Sequence, residues 1–267
     1  MSISLEGKIV LITGGARGIG AAMASAFAAS GAKVMISDIL EEAGRQTVET
    51  IRKAGGDAAF TQHDVRDESA WEAAITDTVA QFGGLTTVIN NAGIETSAKL
   101  TEISVEQIDR LLSVNVRGLV LGMKHAVRAM SPGGTAGQGG SILNLSSMAQ
   151  LRAGQGTGVY AATKAAVDRL TKVGAVEGGA TGWNIRVNCL YPGLIQTDML
   201  GGLLAQRITM GLAQNVEQLQ SRLSSGTPLK RLGTVEDVAN AALFLCSDMA
   251  SFITGVGLSV DGGLAIV

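Results

Sequence analysis

Short runs of β-branched and aliphatic residues alternate with longer segments of helical period along this chain, and the alternation predicts a parallel sheet with helices on both faces. The runs IVLIT, TTVIN and ILNLS are apolar without interruption, as strands covered on both faces are. Seven strands are expected, over residues 9–13, 33–37, 58–63, 85–90, 141–145, 185–190 and 258–260. Helices are expected over 18–30, 41–54, 68–81, 105–130, 158–177 and 235–246. Ser104 with Gln107 fits a capping box, and Thr234 with Asp237 gives an acidic first turn. The fold class is therefore α/β, a doubly wound parallel sheet in a single domain spanning 1–267.

Two segments leave the alternation. Residues 131–140, SPGGTAGQGG, read as a surface loop. Residues 196–233 form a long stretch before the last helix, carrying Met199, Leu200, Leu203, Leu204, Met210 and Leu212 at mixed spacing. So long a stretch in a compact domain usually serves as a lid.

Composition narrows the function classes. The chain has 21 basic and 23 acidic side chains, with no basic stripe, so nucleic acid is not an expected partner. Neither a membrane span nor a cleavable leader is apparent, and a cytoplasmic location is expected. Cys189 and Cys246 stand far apart in apolar runs and read as buried, inert thiols. With two histidines and no Cys/His cluster, no metal site is expected.

The first strand runs directly into Thr13-Gly14-Gly15-Ala16-Arg17-Gly18-Ile19-Gly20 and then an alanine-rich helix. Glycines there let the backbone turn tightly and approach a pyrophosphate, whose charge faces the helix N-terminus. The second strand leads to Asp38, an acid placed to accept from an adenosine ribose hydroxyl and to repel a 2′-phosphate. Arg17 could attract that phosphate instead. Like charges about 4 Å apart at an effective dielectric of about 20 cost on the order of 4 kcal/mol. An exposed arginine contact returns about 1 kcal/mol or less. Asp38 should win, which favours NAD over NADP.

Tyr160 and Lys164 lie four apart in a helical context, on one face. Half-ionising a tyrosine at pH 7 needs roughly 4 kcal/mol, much of which an ammonium and a cationic nicotinamide ring could supply. Such a tyrosine suits proton transfer to or from an alcohol oxygen. Ser147 follows the fifth strand, at the carboxyl edge where these sheets place ligands.

Taken together, these residues resemble the short-chain dehydrogenase/reductase family over essentially the whole chain. The resemblance rests on the Thr13–Gly20 turn, Asn90-Asn91-Ala92-Gly93, Asn115, Ser147, Tyr160, Lys164, Tyr191-Pro192-Gly193 with Thr197, and Val260-Asp261-Gly262-Gly263. It implies a Rossmann sheet and an oxidoreductase that moves a hydride between NAD(H) and a secondary alcohol or ketone. Tyr160 would be the general acid/base and Ser147 the donor to the substrate oxygen. Lys164 would bind the nicotinamide ribose and lower the tyrosine pKa, and Asn115 would hold a water in a proton relay. The cofactor would be bordered by Gly14, Arg17, Gly18, Ile19, Gly20 and Asp38, with Asp64 and Val65 at the adenine. Asn91, Ala92 and Gly93 would form its floor, and Pro192, Gly193, Ile195 and Thr197 would lie at its carboxamide edge. The turn with Ser37-Asp38-Ile39 looks like NAD-dependent hydroxysteroid and cyclic-alcohol dehydrogenases.

Met148, Gln150, Leu194 and Met199, together with Ser147, are the expected substrate contacts, and with the lid leucines they predict a mostly apolar pocket. The small-molecule partner is then a hydrophobic alcohol or ketone, cyclic or steroid-sized. Two rivals stand beside it: a 3-oxoacyl-carrier-protein reductase, and a non-catalytic NAD-binding scaffold. The family usually assembles as tetramers, and the apolar end Leu264-Ala265-Ile266-Val267 would need cover from a neighbouring subunit. His63 is read as a strand-end side chain rather than a catalyst, and Trp71 and Trp183 as packing or subunit-contact residues; Glu95, near the cleft mouth, has two readings, a substrate contact and a solvated loop acid.

Overall fold

The computed structural model describes residues 3–212 and 214–267. Seven strands form one parallel sheet in the order β3-β2-β1-β4-β5-β6-β7. They are β1 (Ile9–Thr13), β2 (Lys33–Asp38), β3 (Asp57–Gln62), β4 (Thr87–Asn90), β5 (Gly140–Leu145), β6 (Ile185–Pro192) and β7 (Gly257–Val260). Side chains alternate between faces along each strand, and the two cores divide accordingly. Val10, Ile12, Val34, Ile36 and Ile89 join one cluster, with Met23 and Phe27 of α1 (Gly18–Ala29), Val48 and Ile51 of α2 (Glu41–Lys53), and Val238 and Leu243 of α9 (Val235–Cys246). Leu11, Met35, Val88, Ile142 and Val187 join the other, with Trp71 and Ile75 of α3 (Glu68–Phe82) and Ala126 and Met130 of α5 (Gly118–Met130). The expected α/β doubly wound sheet is therefore the observed one.

Boundaries differ by one to four residues at several ends: β2 extends through Asp38, β6 runs on to Pro192, and α6 (Gly158–Thr181) is longer than its apolar pattern. Two differences matter more. The helix expected over 105–130 is α4 (Val105–Leu112) joined to α5 through a π-helical segment, Ser113–Arg117, with Asn115 inside it. Periodicity could not show this, because one extra residue in a turn leaves the neighbouring apolar positions plausible. The stretch 196–233 carries two helices, α7 (Asp198–Thr209) and α8 (Val216–Gly226). They pack through their own small cluster of Leu200, Leu203, Leu204, Leu219 and Leu232 rather than on the sheet, which is why their apolar spacing looked irregular. The capping box at Ser104 and Gln107 is present, and Thr234 with Asp237 forms a second.

The chain order sets the site. From β1 the connections lead toward β2 on one side, and β4 lies on the other, so the carboxyl ends of β1 and β4 flank the reversal where such sheets take ligands. All site residues described next lie at that edge or on the elements directly following it. Among the described residues, no helix is long and apolar enough to cross a membrane.

Candidate active site

The turn after β1 and the loop after β4 are held together by two side chains. Thr13 Oγ1 accepts from Asn91 N and Ala92 N at 3.1 Å each. Asn91 Nδ2 donates to the carbonyls of Thr13 and Gly14, at 2.9 and 3.0 Å. Gly14 and Gly18 take φ of 64° and 58°, in the left-handed region. Gly20 is fixed by space: a Cβ there would stand 2.1 Å from the Gly14 carbonyl oxygen. At Gly18 the same atom would meet only Thr197 Cγ2 at 3.7 Å, so the backbone faces an open cleft. α1 starts here without any capping side chain, as α2 and α6 do, whereas Asp67, Ser104, Thr197, Asn215 and Thr234 cap α3, α4, α7, α8 and α9. Its first N–H groups thus remain available to an anion, and the cradle fits a pyrophosphate.

Asp38 is fixed at the end of β2. Its Oδ2 accepts from Ala16 N and its Oδ1 from Leu40 N, both at 3.1 Å. Arg17 reaches the other way, to Asp198 at the start of α7, with 3.6 Å between Nη1 and Oδ2. Both partners of that pair are largely exposed, so it contributes little stability. Asp64 is bound twice over by Arg66, which holds its carboxyl below the usual range. Val65 is buried, and its carbonyl accepts from Trp71 Nε1 at 3.0 Å, which makes Trp71 a packing residue under this part of the cleft. Pro192, Gly193, Ile195 and Thr197 line the exit of β6: Gly193 N donates to Val260 O at 3.0 Å, and Thr197 Oγ1 caps α7.

The remaining residues converge beside β5. Ser147 lies just past its end in an extended conformation. Tyr160 and Lys164, both buried, occupy consecutive turns of α6, with Lys164 Nζ 5.7 Å from the centre of the Tyr160 ring. Lys164 Nζ donates to the Leu145 carbonyl at 2.8 Å, which aims it along the strand end. Asn115, buried in the π-helical segment, accepts from Ile94 N at 2.9 Å and donates to Ile94 O at 2.9 Å and Thr163 Oγ1 at 3.1 Å. Thr163 Oγ1 in turn donates to the Tyr160 carbonyl at 2.7 Å. Asn115 is thus tied to the Tyr160 helix through Thr163, a residue the sequence did not single out. A Cβ on Gly93 would lie 3.4 Å from both Asn115 Oδ1 and Lys164 Nζ, so the glycine keeps open the space in front of them.

Burial dominates the electrostatics. It pulls Lys164 down to about 8, against smaller opposing effects of Cys189 and Glu95. It drives the Tyr160 phenol well above its ordinary value; the Glu95 charge adds to this and Ser147 opposes it. Lowering of this phenol is expected of Lys164 together with a cationic nicotinamide ring, and burial works against it.

Among the residues expected to contact substrate, Met148 and Gln150 are half-buried on the turn after Ser147, and Met199 is 46% exposed on α7. Leu194 packs against the lid's own leucine cluster. Glu95 is a correction: instead of a solvated acid it is half-buried, and loss of water raises its carboxyl to about 6 despite Arg207 and Lys164. Arg207, the basic residue of α7, was not anticipated either, though DMLGGLLAQRIT shows it as the one basic side chain of a mostly apolar helix.

With this geometry in view, the chain can be compared with known proteins. Residues 14–265 match the family described as enoyl-(acyl carrier protein) reductase. The chain is 42% identical over its full length, and over 99% of the relative, to the 2,5-dichloro-2,5-cyclohexadiene-1,4-diol dehydrogenase LinX of Sphingobium indicum. Its fold superimposes on 7α-hydroxysteroid dehydrogenase complexed with NADH and 7-oxo glycochenodeoxycholic acid, at TM-score 0.88 and 32% identity, covering 98% of this chain and 95% of that one. It superimposes equally on the NADH complex of 3-ketoacyl-(acyl-carrier-protein) reductase from Brucella melitensis, at TM-score 0.87 and 34% identity, covering 98% of this chain and all of that one. The protein belongs to the short-chain dehydrogenase/reductase family. It is an oxidoreductase of CH–OH groups that uses a nicotinamide dinucleotide.

Proposed function

We propose that the protein interconverts a hydrophobic cyclic secondary alcohol and its ketone with NAD(H). One observation carries this reading: Ser147, Tyr160, Lys164 and Asn115 are gathered at the carboxyl end of β5, beside a glycine cradle that fits a pyrophosphate.

The bound nicotinamide would supply or accept the hydride at the carbon bearing the oxygen. In reduction the neutral Tyr160 phenol gives its proton to the carbonyl oxygen and is left as phenolate; in oxidation its proton first leaves to solvent through the relay, and the phenolate then takes the alcohol proton. The Ser147 hydroxyl donates to the same oxygen and fixes its position. Lys164, anchored on Leu145 O, holds the nicotinamide ribose and keeps a positive charge beside the phenol. Asn115 fixes the Ile94 backbone and, through Thr163, the turn of α6 that carries Tyr160, and it would hold the water of the relay that the family resemblance implies. Gly14, Arg17, Gly18, Ile19 and Gly20 surround the pyrophosphate. Asp64 and Val65 border the adenine, Asn91, Ala92 and Gly93 form the floor, and Pro192, Gly193, Ile195 and Thr197 hold the carboxamide edge.

The preference for NAD rests on Asp38. Its carboxylate is pinned by two backbone N–H groups and cannot swing from a 2′-phosphate, and that repulsion outweighs what the exposed Arg17 could return. Met148, Gln150, Leu194 and Met199 belong to the substrate side, and α7 with α8 forms the lid. Cyclic alcohols fit the names of the diol dehydrogenase and the steroid dehydrogenase above. Exposed Val173 and Val176 on α6, Phe252, and Ile266 at the chain end support assembly into tetramers, which sedimentation at micromolar protein tests by a single species of fourfold mass.

The test of activity is absorbance at 340 nm with NAD and then NADP over aliphatic, cyclic, aromatic and steroid alcohols. Turnover with NAD that falls by about 10²-fold or more in Tyr160→Phe supports the reading. Turnover confined to acyl-carrier-bound 3-oxo substrates, or NAD binding with no turnover of any substrate, overturns it.

A further inference from the structure

Glu95 and Arg207 are charged side chains of the cleft that proton transfer leaves unused. Glu95 stands on the loop after β4, half-buried, and its charge is felt by Tyr160 and Lys164. Arg207 comes from the facing wall, on α7. Its Nη2 lies over the turn that leads into α6, where a Cβ on Gly154 would be 3.7 Å away. Its Nε is fully enclosed and has no hydrogen-bond partner among the described residues, and nearby Ser97 Oγ is in the same state. Gln206 Oε1 accepts from Ser97 N at 2.6 Å, so α7 is clamped to the loop that carries Glu95. Enclosed donors without partners are rare in folded proteins, and one beside a substrate cleft points to a group that arrives from outside.

The Arg207 charge is felt by Glu95, but the two form no direct ion pair among the described residues. The acceptor and the donor are thus both free to bind a third group. A substrate carboxylate would be repelled by Glu95, and an ammonium by Arg207. A hydroxyl suits both, because it donates through its proton and accepts at its oxygen. We propose that Glu95 and Arg207 together bind a second hydroxyl of the substrate, so that the enzyme selects cyclic diols and hydroxyketones over simple cyclic alcohols. The inference rests on the alcohol-oxidising reading above and specifies its substrate class.

The experiment compares kcat/KM for cyclohexanol with those for the cyclohexane 1,2-, 1,3- and 1,4-diols, using NAD, in the wild type, Glu95→Gln and Arg207→Gln. The wild type is expected to favour at least one diol by about tenfold or more, the scale of a hydrogen bond to a charged group. Each variant is expected to bring that ratio to within about threefold of unity, with the loss concentrated in the diol's KM. Two variants on separate elements keep the test open if one fails to fold. Equal use of cyclohexanol and every diol by the wild type, or an unchanged ratio in both variants, overturns the inference and leaves the oxidoreductase reading standing. Turnover of neither class overturns both.

Discussion

Acid should unfold this protein partly through His63. The residue follows β3 directly and is almost completely buried. Its Nδ1 is 3.0 Å from Ser37 Oγ, its ring meets Trp71 edge-on with centroids 4.4 Å apart, and its Nε2 has no partner. Burial lowers its pKa from 6.5 to about 4, with Asp64 and Asp67 opposing that shift only in part. The neutral ring is thus favoured in the folded state, and on acidification the unfolded chain takes up the proton first. Stability from this group is complete above the unfolded value, declines as pH falls below 6.5, and is fully lost near 4. Between about pH 7.5 and about pH 5 the linkage amounts to about 2 kcal/mol. Glu95 works in the opposite sense. Its carboxyl is raised to about 6, so the folded chain holds that proton over part of the same window and gains stability as pH falls. A single wild-type curve would therefore understate the histidine. Urea unfolding of the wild type and His63→Gln, followed by circular dichroism at both pH values and one protein concentration, separates the two. The stability gap between the chains should shift by about 2 kcal/mol in favour of the variant on acidification. A gap that stays the same within about 0.5 kcal/mol would refute the argument, since roughly that scatter attends distant sites.

Gly20→Ala would push a methyl into the Gly14 carbonyl, which is backbone and cannot turn aside; overpacking of about 1–3 kcal/mol should weaken NAD binding tenfold to a hundredfold by calorimetric titration. Asn115→Leu strips both backbone groups of Ile94 of their partner, and thermal unfolding should report a loss of about 1–3 kcal/mol together with a lower kcat. Asp38→Ser should cut the ratio of NAD to NADP kcat/KM by about tenfold or more, given a repulsion of about 4 kcal/mol at full strength; an unchanged ratio would move the selectivity elsewhere.

The sheet was legible because its strands are buried on both faces, and uninterrupted runs such as IVLIT have few other readings. The glycine turn was legible for a similar reason. Gly14, Gly18 and Gly20 are each demanded by a backbone angle or a close approach, so composition and geometry carry the same information. What stayed hidden depends on pairing across distant segments. Arg207 and Glu95 lie 112 positions apart, and only the docking of α7 on the loop after β4 brings them near one another. Thr163 looked like a helix residue among others until Asn115 was seen to reach it. The burial that raises the Tyr160 phenol comes from everything packed around it, not from any neighbour in sequence.

The π-helical turn at Ser113–Arg117 has a consequence for how this site can change over time. Such a turn amounts to one residue more than an α-helix would use over the same length. A position in an α-helix turns through about 100° per residue. Removing one residue between 113 and 117 would leave α4 as it is and restore regular winding, yet swing whatever followed by that angle. Asn115 and the apolar face of α5 could not both keep their partners. Substitutions can adjust what Asn115 touches, but only an insertion or a deletion can create or erase its placement. Variation in this lineage should therefore preserve chain length here even where the residues on either side drift.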